Sequence, residues 1–184
     1  ALEQLHRWGG EPLPLNASCW VRDDTAPGAP ELLFVRLRGA VAAVDAAIAR
    51  MTREAGGQRI DDAQARADWA ACREQTLPFF NPPSPAHGLW RVSVPQTAPV
   101  LNLPGPVLVE WQGAQRWCWA PVDQADAIRS VARAAGGHAS LFRAPAQGAA
   151  GVPREDRPDP AIAAIQARLR AEFDPAGLFA PHAG

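Results

Sequence analysis

The sequence predicts an α+β domain: a ferredoxin-like antiparallel sheet with helices packed on one face. Two observations carry this. A strand, helix and glycine-cap unit occurs twice along the chain, and a hairpin with a tight turn lies between the two copies. In the first copy, Leu32-Leu33-Phe34-Val35-Arg36-Leu37-Arg38 alternates as a half-buried strand does. Val41, Val44, Ile48 and Met51 then recur at helical spacing before Gly56-Gly57. In the second copy, the strand is Arg116-Trp117-Cys118-Trp119, and Asp123 is the expected N-cap. Ile128, Val131 and Ala135 form the helical stripe, and Gly136-Gly137 precedes a short strand from His138 to Phe142.

The remaining elements follow in chain order. Leu2, Leu5 and Trp8 predict a short first helix, closed by Gly9-Gly10. No glycine-rich cofactor loop flanks it, so the chain reads as beginning in the middle of a larger protein. A helix is expected from Asp62 to about Thr76, with Ala65, Trp69 and Cys72 on one side, followed by a Pro-rich loop from Pro78 to Pro85. Leu89-Trp90-Arg91-Val92-Ser93-Val94-Pro95 alternates as a strand. Val107 to Trp111 is expected to pair with Arg116 to Trp119 around Gln112-Gly113. Ala144 to Pro158 is rich in Ala, Gly and Pro and reads as a surface loop. Asp159 is the expected cap, and Pro160 the first residue, of a last helix with Ile162, Ile165, Leu169 and Phe173 on one stripe. Pro175 stops that helix, Gly177 allows a positive-φ turn, and Leu178-Phe179 is aimed onward as a tail built to dock.

Composition narrows the function classes. With 184 residues, 47% of them hydrophobic, one domain with a real core is expected. The net charge is −1 and all 18 cations are Arg, which leaves no basic stripe for nucleic acid. Cys19, Cys72 and Cys118 lie far apart and suggest buried free thiols, with neither a metal site nor a disulfide framework. No run reaches the ~18–20 apolar residues of a membrane span, so the chain is expected to be cytoplasmic.

Strand alternation places Leu33, Val35 and Leu37 on one face and Phe34, Arg36 and Arg38 on the other; Trp90, Val92 and Val94 likewise oppose Arg91 and Ser93. The polar face therefore collects Arg36, Arg38, Arg91 and Glu110, with Arg116 as a further candidate. Such a face suits solvent with cross-strand ion pairs, or a cleft for a small carboxylate, whose two oxygens match a guanidinium fork. Arg91 and Arg116 are the substrate-binding candidates. His138 opens a strand that ends in Phe142-Arg143, and these three are the candidates for contact with a cofactor. No nucleophile elbow, zinc-protease motif or phosphate loop is present, so no catalytic residue is assigned and no metal is expected.

Four segments taken together carry a family resemblance: Leu89 to Pro95, Glu110 to Trp117, Ala135 to Arg143, and Phe173-Asp174-Pro175-Ala176-Gly177-Leu178-Phe179-Ala180-Pro181. Their order resembles the C-terminal domain of the FAD-binding subunit of bacterial glycolate oxidases, of the vanillyl-alcohol-oxidase type. The opening, Leu5 to Cys19, is similar to the same subunit just after its flavin domain. At the end of the chain, Ala180 and His182 stand where the family pattern has Asn and Gly. The resemblance implies one substrate or cap domain, residues 1–184, without its N-terminal FAD-binding domain, so that the isolated fragment is expected to hold no FAD and to be inactive. It further implies oxidation of a small 2-hydroxy acid by hydride transfer to FAD, with a second flavin subunit and an iron-sulfur subunit as partners. The histidine-rich metal motif of the related flavin subunit is missing here. A non-catalytic assembly module that holds those subunits together is the competing expectation, anchored by the arginine face and the tryptophans of the hairpin.

Overall fold

A computed structural model describes residues 1–22, 31–148, 151–156, 158 and 160–179. Its helices are α1 (Leu2–Gly9), α2 (Val41–Ala55), α3 (Asp62–Arg73), α4 (Ala125–Ala134) and α5 (Pro160–Phe173). Its strands are β1 (Leu15–Arg22), β2 (Leu32–Leu37), β3 (His87–Ser93), β4 (Val107–Glu110), β5 (Gln115–Pro121) and β6 (His138–Arg143). They form one six-stranded sheet in the order β2-β1-β4-β5-β3-β6, with every neighbouring pair antiparallel.

Within it, β3, β4, β5 and β6 stand in ferredoxin-like order. β5 and β6 run parallel on either side of β3 and are joined by α4. The other crossover, from β3 to β4, contains no helix. An irregular segment instead packs Ala98, Leu101 and Leu103 against Trp90, Val92, Cys118, Ile128 and Leu141. Prolines at 95, 99, 104 and 106 deny that segment a helical ladder, so side chains from an extended path fill the space.

Residues opposite one another on antiparallel strands share a face, so the pairing fixes both sides of the sheet. The first face carries Leu33, Trp20, Val109, Arg116, Val92 and Ala139 in one row across the strands. α1 packs there through Leu2 and Leu5, α2 through Ala47 and Met51, and α4 through Ile128 and Ala132. Trp8 Nε1 also donates to Glu54 Oε2 at 3.0 Å and ties α1 to α2. That hydrogen bond, aided by Arg50, holds the Glu54 carboxyl below its ordinary pKa.

The α+β, ferredoxin-like expectation holds, except that the helices are not confined to one face, since α3 packs on the second. The second face is not only polar, because Cys19, Leu89, Leu108, Trp117 and Trp119 make an apolar strip that Cys72 and Trp69 of α3 and Phe79-Phe80 cover. β1 is a central strand that the sequence pattern did not announce. Asp123 lies in a 3₁₀ turn, Val122–Gln124, and does not cap α4, whose N-cap is Gln124. Asp61 is the cap that does form, accepting from the amides of Ala63 and Gln64. Asp159, the cap expected for α5, lies outside the described residues. Gly137 explains the double glycine before β6: a Cβ there would sit 2.0 Å from the Ser93 carbonyl oxygen, so any side chain would push β6 off β3.

Candidate functional site

The site is built on the second face, where β3, β5 and β6 run side by side. Arg91 faces Trp117 on β5 and Ser140 on β6. Its guanidinium carbon lies 5.7 Å from the centre of the Phe142 ring, within cation–π range. That ring meets Trp117 edge to face at 5.0 Å; Trp117 meets Phe80 at 5.9 Å, and Phe80 meets Phe79 at 5.3 Å. A chain of interlocked aromatic rings thus fixes the support on which Arg91 rests. Arg91 Nε is shielded from solvent and finds no hydrogen-bond acceptor among the described residues. A buried cationic donor without an acceptor is costly unless something anionic meets it. Chemically, the arrangement can receive a carboxylate at a fixed position beside an exposed aromatic ring.

The other expected site residues do not all join it. Phe142 is there, exposed beside Arg91. His138 opens β6 opposite Ser93, two positions along the ladder from the Arg91–Ser140 pair, with its side chain exposed. Arg143 is committed elsewhere. It donates to the Phe80 carbonyl and to Gln75 Oε1, and it lies over the Phe80 ring at 5.8 Å.

Arg116 is on the opposite face, buried to 2% exposure, so it does not share a site with Arg91. Its Nε donates to Gly113 O at 3.2 Å, Nη1 to Pro99 O at 2.5 Å and Nη2 to Ala98 O at 2.8 Å. Burial lowers its pKa. Its position corrects the expectation that it lines the polar face: it is a staple that binds the β3–β4 crossover to the sheet. Of the remaining candidates, Arg36 donates to Asn16 Oδ1 at 2.7 Å and covers the Trp69 ring at 5.1 Å, so it is partly used in holding α3.

The second feature is the end of the described chain. No residue of α5 is buried, and its stripe of Ile162, Ile165, Leu169 and Phe173 faces solvent, with Phe173 at 80% exposure. Leu178 and Phe179 are 79% and 75% exposed. Exposed as it is, the tail is not loose, because Asp174 accepts from the amides of Leu178 at 2.7 Å and Phe179 at 2.9 Å. Gly177 takes φ +64° and donates to the Asp174 carbonyl. One carboxylate therefore sets the direction of both apolar side chains, a role that an Asp before Pro four residues ahead of a Leu-Phe pair allows. Ala180, Pro181 and His182 lie outside the described residues.

Among the described residues, no three His, Cys, Asp or Glu side chains are grouped to hold a metal ion, and no helix is long and apolar enough to cross a membrane.

Against this geometry, the comparison with curated proteins is informative. The chain is 34% identical over 181 residues to the glycolate oxidase subunit GlcE of Escherichia coli (strain K12), a match that covers 98% of this chain. It bears out the resemblance carried by the four motifs and is consistent with the C-terminal part of that subunit. The chain spans 44% of the length of the relative it matches. No family model and no solved structure matches it.

Proposed function

We propose that this chain is the cap domain of a flavin-dependent 2-hydroxy-acid oxidase subunit, that it covers the flavin with its second sheet face, and that Arg91 holds the substrate carboxylate. The observation that carries the proposal is the match to a glycolate oxidase subunit along 98% of the chain. The orphaned Nε of Arg91 and the exposed Phe142 ring suit the polar substrate and the planar edge of a flavin. Because the chain matches only 44% of the length of its relative, FAD in this reading is held chiefly by the rest of a longer polypeptide. When bound, the flavin supplies the hydride acceptor; Arg91 orients the 2-hydroxy acid through its carboxylate, and Phe142 and His138 border the space it enters. The docking surface toward the flavin-binding part is α5 with Leu178 and Phe179. Electrons would leave through a second flavin subunit and an iron-sulfur subunit.

The test is anaerobic addition of glycolate to the full-length protein assembled with its partners. Bleaching of the flavin associated with this subunit is expected. A subunit whose bound flavin stays oxidised with glycolate and other short 2-hydroxy acids, in an assembly that still turns over, contradicts a substrate site on this chain.

One observation favours a second function, that of an assembly module. Trp111 is 69% exposed and sits at φ +53°, held outward at the hairpin tip, where Gln112 N donates to Ser18 Oγ at 2.8 Å. An exposed Trp in a strained backbone position is a ready interface anchor.

A further inference from the structure

On the first face, beside the helix-less crossover, a small cavity is bordered by two buried donors. Trp20 on β1 lies opposite Val109 on β4, and Val109 lies opposite Arg116 on β5, so the indole and the guanidinium leave the same face on either side of one valine. Both line a cavity of about 30 Å³, together with Leu101 and Leu103 of the crossover and with Val100, which is 62% exposed and marks its rim. Trp20 is 6% exposed, and its Nε1 is shielded from solvent without a hydrogen-bond partner among the described residues. Arg116 is as deeply buried, pairs with no carboxylate among the described residues, and feels burial as the cause that lowers its pKa. Its three carbonyl contacts use Nε–H and one hydrogen of each Nη, which leaves two of the five N–H groups of the guanidinium. A buried cation without a counter-charge and a buried N–H without an acceptor are each costly, and one small anion between them relieves both.

We propose that this cavity binds a single halide ion of the size of chloride, held by the Trp20 Nε1–H and the remaining Nη hydrogens of Arg116, and that its occupancy fastens the crossover to the sheet. Size restricts the occupant. One water needs roughly 10–15 Å³, so a cavity of about 30 Å³ admits a monatomic anion and excludes a carboxylate as large as a 2-hydroxy acid. Charge and lining then choose between a halide and a water. A water that accepts from both donors must still place two hydrogens of its own, and the surrounding Val and Leu side chains accept none. A halide accepts from every donor and balances the guanidinium in a medium where charge is poorly screened. Because the same guanidinium holds the carbonyls of Ala98 and Pro99, an ion that fixes it also fixes the crossover. Arg91 is on the opposite face, so the ion does not compete with a substrate there.

The experiment uses the full-length protein. Crystals grown in sodium bromide are expected to show an anomalous peak in hydrogen-bonding contact with Trp20 Nε1 and the Arg116 guanidinium. In solution, hydrogen exchange of the crossover amides between residues 96 and 106 is read by mass spectrometry, in sodium chloride against sodium gluconate of equal ionic strength. Chloride is expected to slow that exchange by the factor 1 + [Cl⁻]/Kd, roughly tenfold once chloride stands at ten times its Kd. Trp20→Phe, which keeps an aromatic ring and removes the N–H, should exchange alike in the two salts. The absence of an anomalous peak at the cavity, equal exchange of the wild-type crossover in both salts, or a chloride effect that Trp20→Phe retains overturns the site. A bromide peak without slower exchange is binding at crystal concentration only and overturns it equally. The two wild-type readings decide the matter whether or not the variant folds.

Discussion

Replacing Arg116 with Met is expected to lower the free energy of unfolding by about 3 kcal/mol, because it strands two buried carbonyl oxygens at ~1–3 kcal/mol each and frees a third, on the exposed Pro99, that water can reach. The carbonyls belong to Ala98, Pro99 and Gly113, two of them on the helix-less crossover between β3 and β4. A helix in that position would satisfy its own backbone; an irregular segment cannot, and one planar side chain with several donors does it instead. Arg116→Lys should recover less than half of the loss, since a single ammonium cannot reproduce the fork. Urea unfolding monitored by tryptophan fluorescence reads the effect as a shift of the midpoint at unchanged slope. A midpoint within experimental error of the wild type would show that Arg116 does not hold the crossover.

Arg91→Ala should do the reverse. Stability is expected to change by less than ~1 kcal/mol, because among the described residues Arg91 satisfies no backbone group and its Nε is a cost to the folded state. If Arg91 holds the substrate carboxylate as proposed, kcat/KM for glycolate in the full-length protein assembled with its partners should fall by about 10²–10³-fold, the loss of one bidentate, charge-assisted contact worth ~3–4 kcal/mol. Arg91→Lys should restore part of it, and guanidinium ion added to the Ala variant should restore activity that added salt does not. Unchanged kcat/KM in Arg91→Ala would remove this residue from substrate binding and leave the assembly function as the better account.

These two arginines show where sequence suffices and where it stops. Strand periodicity was enough to give Arg91 its face, because Trp90, Val92 and Val94 oppose it within one strand. For Arg116-Trp117-Cys118-Trp119, alternation could not tell inside from outside: Cys118 and Trp117 lie on opposite faces, and both are buried. That outcome depends on α3 and Phe79-Phe80 covering the second face, a tertiary fact with no local signature. β1, Leu-Asn-Ala-Ser-Cys-Trp-Val-Arg, was missed because Asn16, Ala17 and Ser18 dilute its hydrophobic pattern. By contrast, the α5 stripe and the Phe173–Phe179 turn could be read directly, since Pro and Gly act within a few residues. Only the double use of Asp174 was not foreseen, although an Asp before a turn is a known acceptor for amides just ahead of it.

The central claim is that the second half of the chain presents an apolar surface, from Ile162 to Phe179, to a part of the protein beyond these residues. Hydroxyl-radical footprinting of Phe173, Leu178 and Phe179, in the full-length protein and in the 184-residue chain alone, tests it most directly. The account predicts strong labelling of all three in the isolated chain, near-background labelling in the full-length protein, and return of label at 178 and 179 in full-length Asp174→Ala. Equal labelling of the three residues in both proteins would contradict it.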